Sequence, residues 1–105
     1  MPYDLLIADA TLVDPAQGAC AVADIAFRDA RVAAAGANVR RDDAREVIDG
    51  TGRYVIPGMI DVHVHVFEGV SHYGIPPDPT CLARGATTVV DAGSAGADTF
   101  PGFRK

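Results

Sequence analysis

Short apolar runs separated by polar turns fill the first half of the chain, and this pattern predicts β-strands rather than helices. The Gly50-Thr51-Gly52 turn is expected to reverse the chain, so that the strand after it returns along the strand before it. The strands are predicted at residues 3–8, 11–13, 23–28, 31–34, 46–49 and 53–56.

A two-residue loop, Asp29-Ala30, separates two of these runs and predicts a β-hairpin. Loops of this length need positive φ and therefore favour glycine at one or both positions. Ala30 stands where glycine is preferred, so we expect a strained backbone at that residue.

The second half of the chain predicts a strand, a helix and a second strand. Residues 60–66 alternate and are rich in β-branched side chains, as are residues 86–91. Between them, Asp78 and Pro79 are typical of a helix N-cap and first helical position, and Gly85 is typical of a helix end. Two strands joined through a helix imply a parallel pair with a right-handed crossover.

Two histidines lie one residue apart in the first of these strands, within the run DVHVHV. Side chains at i and i+2 share a face of a strand, so His63 and His65 lie together with Asp61. Two neighbouring imidazoles can bind one divalent cation such as zinc, and Asp61 could orient one of them through a hydrogen bond. An isolated pair of this kind is also compatible with ordinary core or surface histidines. The opposite face carries Val62, Val64 and Val66.

Composition narrows the class of protein. The 105 residues are 49% hydrophobic, enough for a small core, which argues against disorder. Nine basic and 14 acidic residues give a net charge of −5, which argues against a nucleic-acid partner. No apolar run predicts a signal peptide or a membrane span. Cys20 and Cys81 are far apart and fit a reducing cytoplasm better than a disulfide.

The residues around the histidine pair carry a family resemblance. Residues 55–65 (VIPGMIDVHVH) resemble the signature of the amidohydrolase superfamily, in which HxH ends the first strand of a (β/α)8 barrel. Residues 85–96 (GATTVVDAGSAG) resemble its amidohydrolase/deacetylase branch, often described as dihydroorotase-like. The resemblance implies an α/β fold: residues 1–57 form the N-terminal part of a small β-sandwich domain. Residues 58–105 would form the first βαβ unit of an incomplete TIM barrel.

The resemblance also implies a metal-dependent hydrolase of amide or acyl-ester bonds in small molecules. His63 and His65 would bind one or two divalent ions, zinc first and manganese as the alternative. The remaining ligands and the catalytic aspartate are expected beyond Lys105. Phe67 stands where true dihydroorotases carry an arginine, so dihydroorotase activity is not expected. The complete enzyme is expected to be a cytoplasmic homo-oligomer with no nucleic-acid or membrane partner.

Four other polar residues follow the two strands. Asp91 and Ser94 lie at the C-terminal end of the second strand, the side on which barrels of this kind place their sites. Asp91 is a candidate catalytic residue or a cap of the next loop. Ser94 is interpreted as a turn residue rather than a nucleophile, because no histidine partner accompanies it. Glu68 and His72 follow the first strand, where they would contact substrate or lie in solvent.

The length of the chain sets a further expectation. A complete barrel needs about 250 residues, so we expect an N-terminal fragment that is inactive alone, with uncovered apolar strand surface at the three valines. Two other functions stay open. One is a metal-free scaffold relative of the family, and the other is a free-standing β-rich binding module.

Overall fold

The first unit of the protein is a five-stranded mixed sheet. The computed structural model describes residues 2–105, which divide between Pro57 and Gly58 into two compact units. The sheet has the order β3-β2-β1-β4, and β5 pairs with β1. Its strands are β1 (Tyr3–Asp14), β2 (Ala19–Arg28), β3 (Arg31–Gly36), β4 (Ala44–Asp49) and β5 (Tyr54–Val55), with a 3₁₀ turn at Arg41–Asp43.

The central strand β1 joins two runs that the sequence pattern separates. Its register against β2 shifts between Ile7 and Ala10, and Asp9 has a φ of 56°. The buried Asp24 accepts the Asp9 backbone N–H on its Oδ1 at 2.9 Å, and Arg41 contacts Asp9 Oδ2 at 2.8 Å. The strand therefore continues through a β-bulge, because the Asp24 carboxylate accepts the Asp9 N–H that has no ladder partner there.

The strand after the glycine turn does not return along its predecessor, and that expectation was wrong. Both β4 and β5 run parallel to β1 and pair with successive segments of it. The Gly50 N–H donates to Ala8 O at 2.7 Å, and the Thr11 N–H donates to Arg53 O at 2.9 Å. The turn between β4 and β5 therefore does not reverse the chain, because β1 supplies hydrogen-bond partners to the segments before and after it.

Small side chains dominate the core of this unit. Leu6 is the one large side chain that is fully buried among the described residues. The alanines pack close to it because a face of small residues lets neighbouring groups approach closely. The buried cluster is Leu6, Ala8, Ala26 and Ala44, with Tyr3, Ala34 and Val39 packed against it.

The second unit contains the predicted β-α-β arrangement, and the α/β fold class is confirmed. Strands β6 and β7 pair in parallel. No helix within residues 2–105 is long and apolar enough to span a membrane. The elements of this unit are β6 (Met59–Val64), α1 (Pro77–Thr80), a 3₁₀ turn (Leu82–Arg84), β7 (Ala86–Asp91) and α2 (Phe100–Phe103).

The ends of the short helical segment agree only partly with the sequence pattern. Gly85 ends it with a φ of 94°, as expected, and its N–H donates to Leu82 O at 2.9 Å. The prediction of Asp78 as N-cap was wrong. The helix begins at Pro77, because the fixed φ of proline already suits the first helical position.

Cover of the apolar strand faces is uneven. Val64 is 7% exposed, so the expectation of three uncovered valines was wrong at this position. Val62 is 71% exposed, as expected for an uncovered strand residue. Both cysteines are free thiols, with Cys20 exposed and Cys81 buried.

The hairpin of β2 and β3 confirms the two-residue loop. Arg28 pairs with Arg31, and both loop residues have positive φ: 51° at Asp29 and 57° at Ala30. The Asp29 N–H donates to Asp4 Oδ2 at 2.9 Å, which fixes the first loop residue. The side chain of Ala30 makes this left-handed backbone unfavourable, because its Cβ crowds the following carbonyl.

We therefore expect Ala30→Gly to raise the free energy of unfolding by up to about 1 kcal/mol. Ala35→Gly is the matched control, because Ala35 is exposed in the neighbouring strand β3. That control should instead destabilise by about 0.5–1 kcal/mol. Urea denaturation of both variants gives the comparison, and equal destabilisation by the two would contradict the claim of strain at Ala30.

Candidate metal-binding site

His63 and His65 lie side by side near the C-terminal end of β6. Their ring centroids are 5.6 Å apart, and the ring planes meet at 69°. Two imidazoles that share one zinc ion with nitrogen–metal distances near 2.1 Å would have centroids about 5 Å apart. His63 is exposed and His65 is half-buried, so both rings are accessible from solvent. The pair fits two positions of a divalent metal site.

A β-bulge shapes the strand beside the first histidine. Asp61 pairs with Val89 and Val64 with Asp91, so β6 has one more residue than β7 over this span. Asp61 Oδ1 accepts the backbone N–H of His63 at 3.0 Å. The proposal that Asp61 orients an imidazole is therefore replaced by a backbone role: its carboxylate satisfies an N–H at the irregular part of the ladder.

Ser94 contacts a histidine, contrary to the expectation from the sequence. Its Oγ lies 2.9 Å from Nδ1 of His65. The contact forms because β6 and β7 are parallel and end side by side, which brings the segments that follow them together. The available signal in the sequence was the predicted parallel pair, since the segments that follow two parallel strands start at the same edge of the sheet. Nε2 is the ring nitrogen of His65 that this contact does not involve.

Asp91 fastens the end of β6 to the loop after β7. Its Oδ2 accepts the Val66 N–H at 2.9 Å, and its Oδ1 accepts the N–H groups of Gly93 at 3.0 Å and Ser94 at 2.6 Å. Partial burial disfavours the charged carboxylate, but the backbone N–H of Val66 and the backbone and hydroxyl of Ser94 outweigh this. Together with Gly93 they hold the pKa of Asp91 well below its ordinary value. This geometry corresponds to the loop-capping interpretation of Asp91.

An aromatic residue absent from the sequence reasoning also flanks the pair. The Tyr73 ring lies 5.3 Å from that of His65 and 3.6 Å from that of His72, which is exposed in the same loop. Glu68 is exposed as well. An open cavity of about 880 Å³ is lined by β6 with both histidines and by Tyr73. A small molecule can therefore reach the imidazoles.

The donor set of the described residues is incomplete for a metal site. No group of three or more His, Cys, Asp or Glu side chains within residues 2–105 is arranged to hold a metal ion. A catalytic zinc site uses three protein ligands and a water. The residues present therefore fit part of such a site.

Comparisons with known proteins agree on one superfamily. No protein-family model matches the chain. A deacetylase of Brucella anthropi is 40% identical over 78 residues, which are 74% of this chain and 19% of the relative. A deacetylase of Enterococcus faecalis is 35% identical over 103 residues, which are 98% of this chain and 27% of the relative. The chain thus spans about a fifth to a quarter of the length of these curated relatives.

Solved structures give the same result. A dihydroorotase matches with a TM-score of 0.81 and 33% identity, covering 95% of this chain and 26% of that one. An adenine deaminase matches with a TM-score of 0.77 and 37% identity, covering 97% and 26%. An N-acyl-D-glutamate deacylase from Bordetella bronchiseptica, in complex with zinc and a phosphonate inhibitor, matches at 0.68 and 32%, covering 85% and 18%.

By name, these relatives are deacetylases, a deacylase, a dihydroorotase and an adenine deaminase, and the deacylase structure contains zinc. These matches indicate the amidohydrolase superfamily, to which the chain is similar over part of the length of each relative. The resemblance seen in the sequence is thereby confirmed, and so is the relation of the fold to TIM-barrel enzymes.

We expect Asp91→Asn to lower the free energy of unfolding at neutral pH, because a neutral amide accepts three N–H groups less well than a carboxylate. The pKa of Asp91 is depressed in the folded state. Its contribution is therefore present above the unfolded value near 3.9 and is lost as pH falls below it. The difference between wild type and variant should shrink in acid.

Urea denaturation at several pH values measures this difference. Asp98→Asn is the control, since Asp98 is exposed in the segment after β7, and it should have little effect. A difference at Asp91 that stays constant from neutral pH down to strong acid would contradict the assigned role of the charge.

Proposed function

We propose that the chain is part of a metal-dependent hydrolase that cleaves amide or acyl-ester bonds in a small molecule, and that His63 and His65 bind its metal. The observation that supports this most directly is the paired imidazoles, 5.6 Å apart at the end of a parallel strand. Similarity to two deacetylases and to a zinc-containing deacylase supports the same class of reaction.

We further propose that the two units correspond to two domains of the family. Residues 1–57 would belong to the small β-sandwich domain and residues 58–105 to the start of the barrel. The relatives are about four to five times longer than the segment they share with this chain. The remaining metal ligands and the proton-transferring aspartate would come from that additional length, and the complete protein would be a homo-oligomer in the cytoplasm.

A divalent ion, zinc first and manganese as the alternative, would lower the pKa of a bound water and polarise the scissile carbonyl. The chain's own residues act around it. His63 and His65 would present ring nitrogens to the ion, and Ser94 and Tyr73 flank the second of these rings. The open cavity beside β6 admits the substrate.

Zinc binding by the 105-residue chain tests the histidine assignment. We expect weak binding in isothermal titration with zinc chloride, because two imidazoles leave the ion without a third protein ligand. His63→Ala and His65→Ala should each abolish the heat of binding, whereas His72→Ala in the exposed loop should not. Binding should also weaken in acid, because protons compete for the same nitrogens.

Two results would contradict the assignment. One is zinc binding that survives in the His63→Ala, His65→Ala double variant. The other is an equal loss in His72→Ala, which would indicate adventitious surface binding. Absence of zinc binding in the wild-type chain would favour a metal-free scaffold relative.

We expect the 105-residue chain to show no hydrolase turnover with simple N-acetyl or O-acetyl substrates in the presence of zinc or manganese. The physical reason is the incomplete ligand set within residues 2–105, which would leave the ion weakly held. Release of acetate is the measurement. Turnover that disappears both with a chelator and with His63→Ala would contradict this expectation.

A further inference from the structure

The contact between His65 and Ser94 leaves open which atom supplies the proton. A neutral imidazole donates through one nitrogen and accepts through the other, whereas a serine hydroxyl has one proton and two lone pairs. With Nδ1 and Oγ 2.9 Å apart, either the ring donates to the hydroxyl or the hydroxyl donates to the ring. Only the first arrangement leaves Nε2 with a free lone pair.

The position of Ser94 and the proposed metal function together favour the first arrangement. The Ser94 backbone N–H donates to Asp91 Oδ1 at 2.6 Å, which holds the hydroxyl beside the His65 ring. A histidine that binds a metal through Nε2 carries its proton on Nδ1 and donates it to a neighbouring group. The Ser94 oxygen is the acceptor within hydrogen-bond distance of that nitrogen.

The rest of the site holds this chain of contacts in place. Asp91 also accepts the N–H of Val66, the residue that follows His65, and the N–H of Gly93, the residue that precedes Ser94. One carboxylate thus fixes the backbone on both sides of the imidazole–hydroxyl contact. The aromatic rings that pair with the His65 ring are those of His63 and Tyr73.

We propose that Ser94 is a positioning residue that holds His65 in the Nδ1–H tautomer and so presents Nε2 as the metal-binding atom, with Asp91 holding Ser94 in turn. The tautomer can be tested without metal. The link from tautomer to metal affinity rests on the proposed function. Nothing in this role requires Ser94 to act as a nucleophile.

The first measurement is made on the metal-free chain labelled with ¹⁵N at histidine, at a pH where the rings are neutral. Two-bond ¹⁵N–¹H spectra distinguish a protonated from an unprotonated ring nitrogen. We expect Nδ1 of His65 to be protonated in the wild type and in Ser94→Thr, which keeps the hydroxyl. Ser94→Ala should shift the ring to a mixture of tautomers. Ser71→Ala, at the other serine of the chain, should leave the spectrum unchanged.

The second measurement is zinc affinity of the same four proteins. Loss of a group that orients a metal-binding histidine typically costs 10–100-fold in affinity. We expect Ser94→Ala to lose about that much zinc affinity and Ser94→Thr to keep the affinity of the wild type. Ser71→Ala should lose no affinity.

The outcomes separate the inference from the proposed function. A wild-type His65 protonated at Nε2, or a tautomer unchanged in Ser94→Ala, overturns the inference even if zinc binds. A wild-type Nδ1–H tautomer that depends on Ser94, in a chain that binds no zinc, supports the positioning role and overturns the proposed metal function. An equal loss of zinc affinity in Ser94→Ala and Ser94→Thr shows that the hydroxyl is not the cause.

Discussion

The Asp91 carboxylate is the group on which the histidine-bearing end of the second unit depends. Two parallel strands end beside each other, and their last N–H groups have no further ladder to join. Asp91 accepts three of these groups from both sides. Because the carboxylate joins the end of β6 to the loop after β7, it also brings Ser94 to His65. A requirement of the backbone thus sets the geometry of the candidate site.

Other aspartates of the chain also accept backbone N–H groups, and this role accounts for part of its excess of acidic residues. Irregular positions such as bulges and strand ends leave backbone N–H groups without a ladder partner, and nearby aspartates accept them. Six of the 14 acidic residues therefore serve local backbone structure. The aspartates that accept backbone N–H groups are Asp4, Asp14, Asp24, Asp49, Asp61 and Asp91.

Sequence patterns predicted the features that depend on neighbouring residues. The hairpin with positive φ at Ala30, the strand of residues 86–91 and the helix end at Gly85 were all predicted, because each follows from short-range backbone preferences. The continuation of β1 through Asp9 was not predicted, since it depends on Asp24 from another strand. The direction of β5 was missed for the same reason, because its partner is 43 positions away in the pairing of Thr11 with Tyr54.

The candidate site also has one feature that the sequence predicted and one that it did not. Alternation along one strand placed His63 and His65 on one face, and the structure has their rings adjacent. The partner of His65 is 29 positions away, so it depends on how two strands are aligned. Spacing along the chain contains no information on that alignment. Whether the two imidazoles bind a metal stays a prediction, which the similarity to one zinc-containing deacylase structure supports.

The pairing of β1 has a consequence for the order of folding. The β2–β3 hairpin closes a two-residue loop, and such local contacts form within microseconds. By contrast, the edge of β1 that faces β4 and β5 stays open until residues 44–55 arrive. Closing these long loops costs entropy before the contacts repay it, which slows folding. During synthesis, the central strand of the first unit would therefore wait for the last strand of that unit to leave the ribosome.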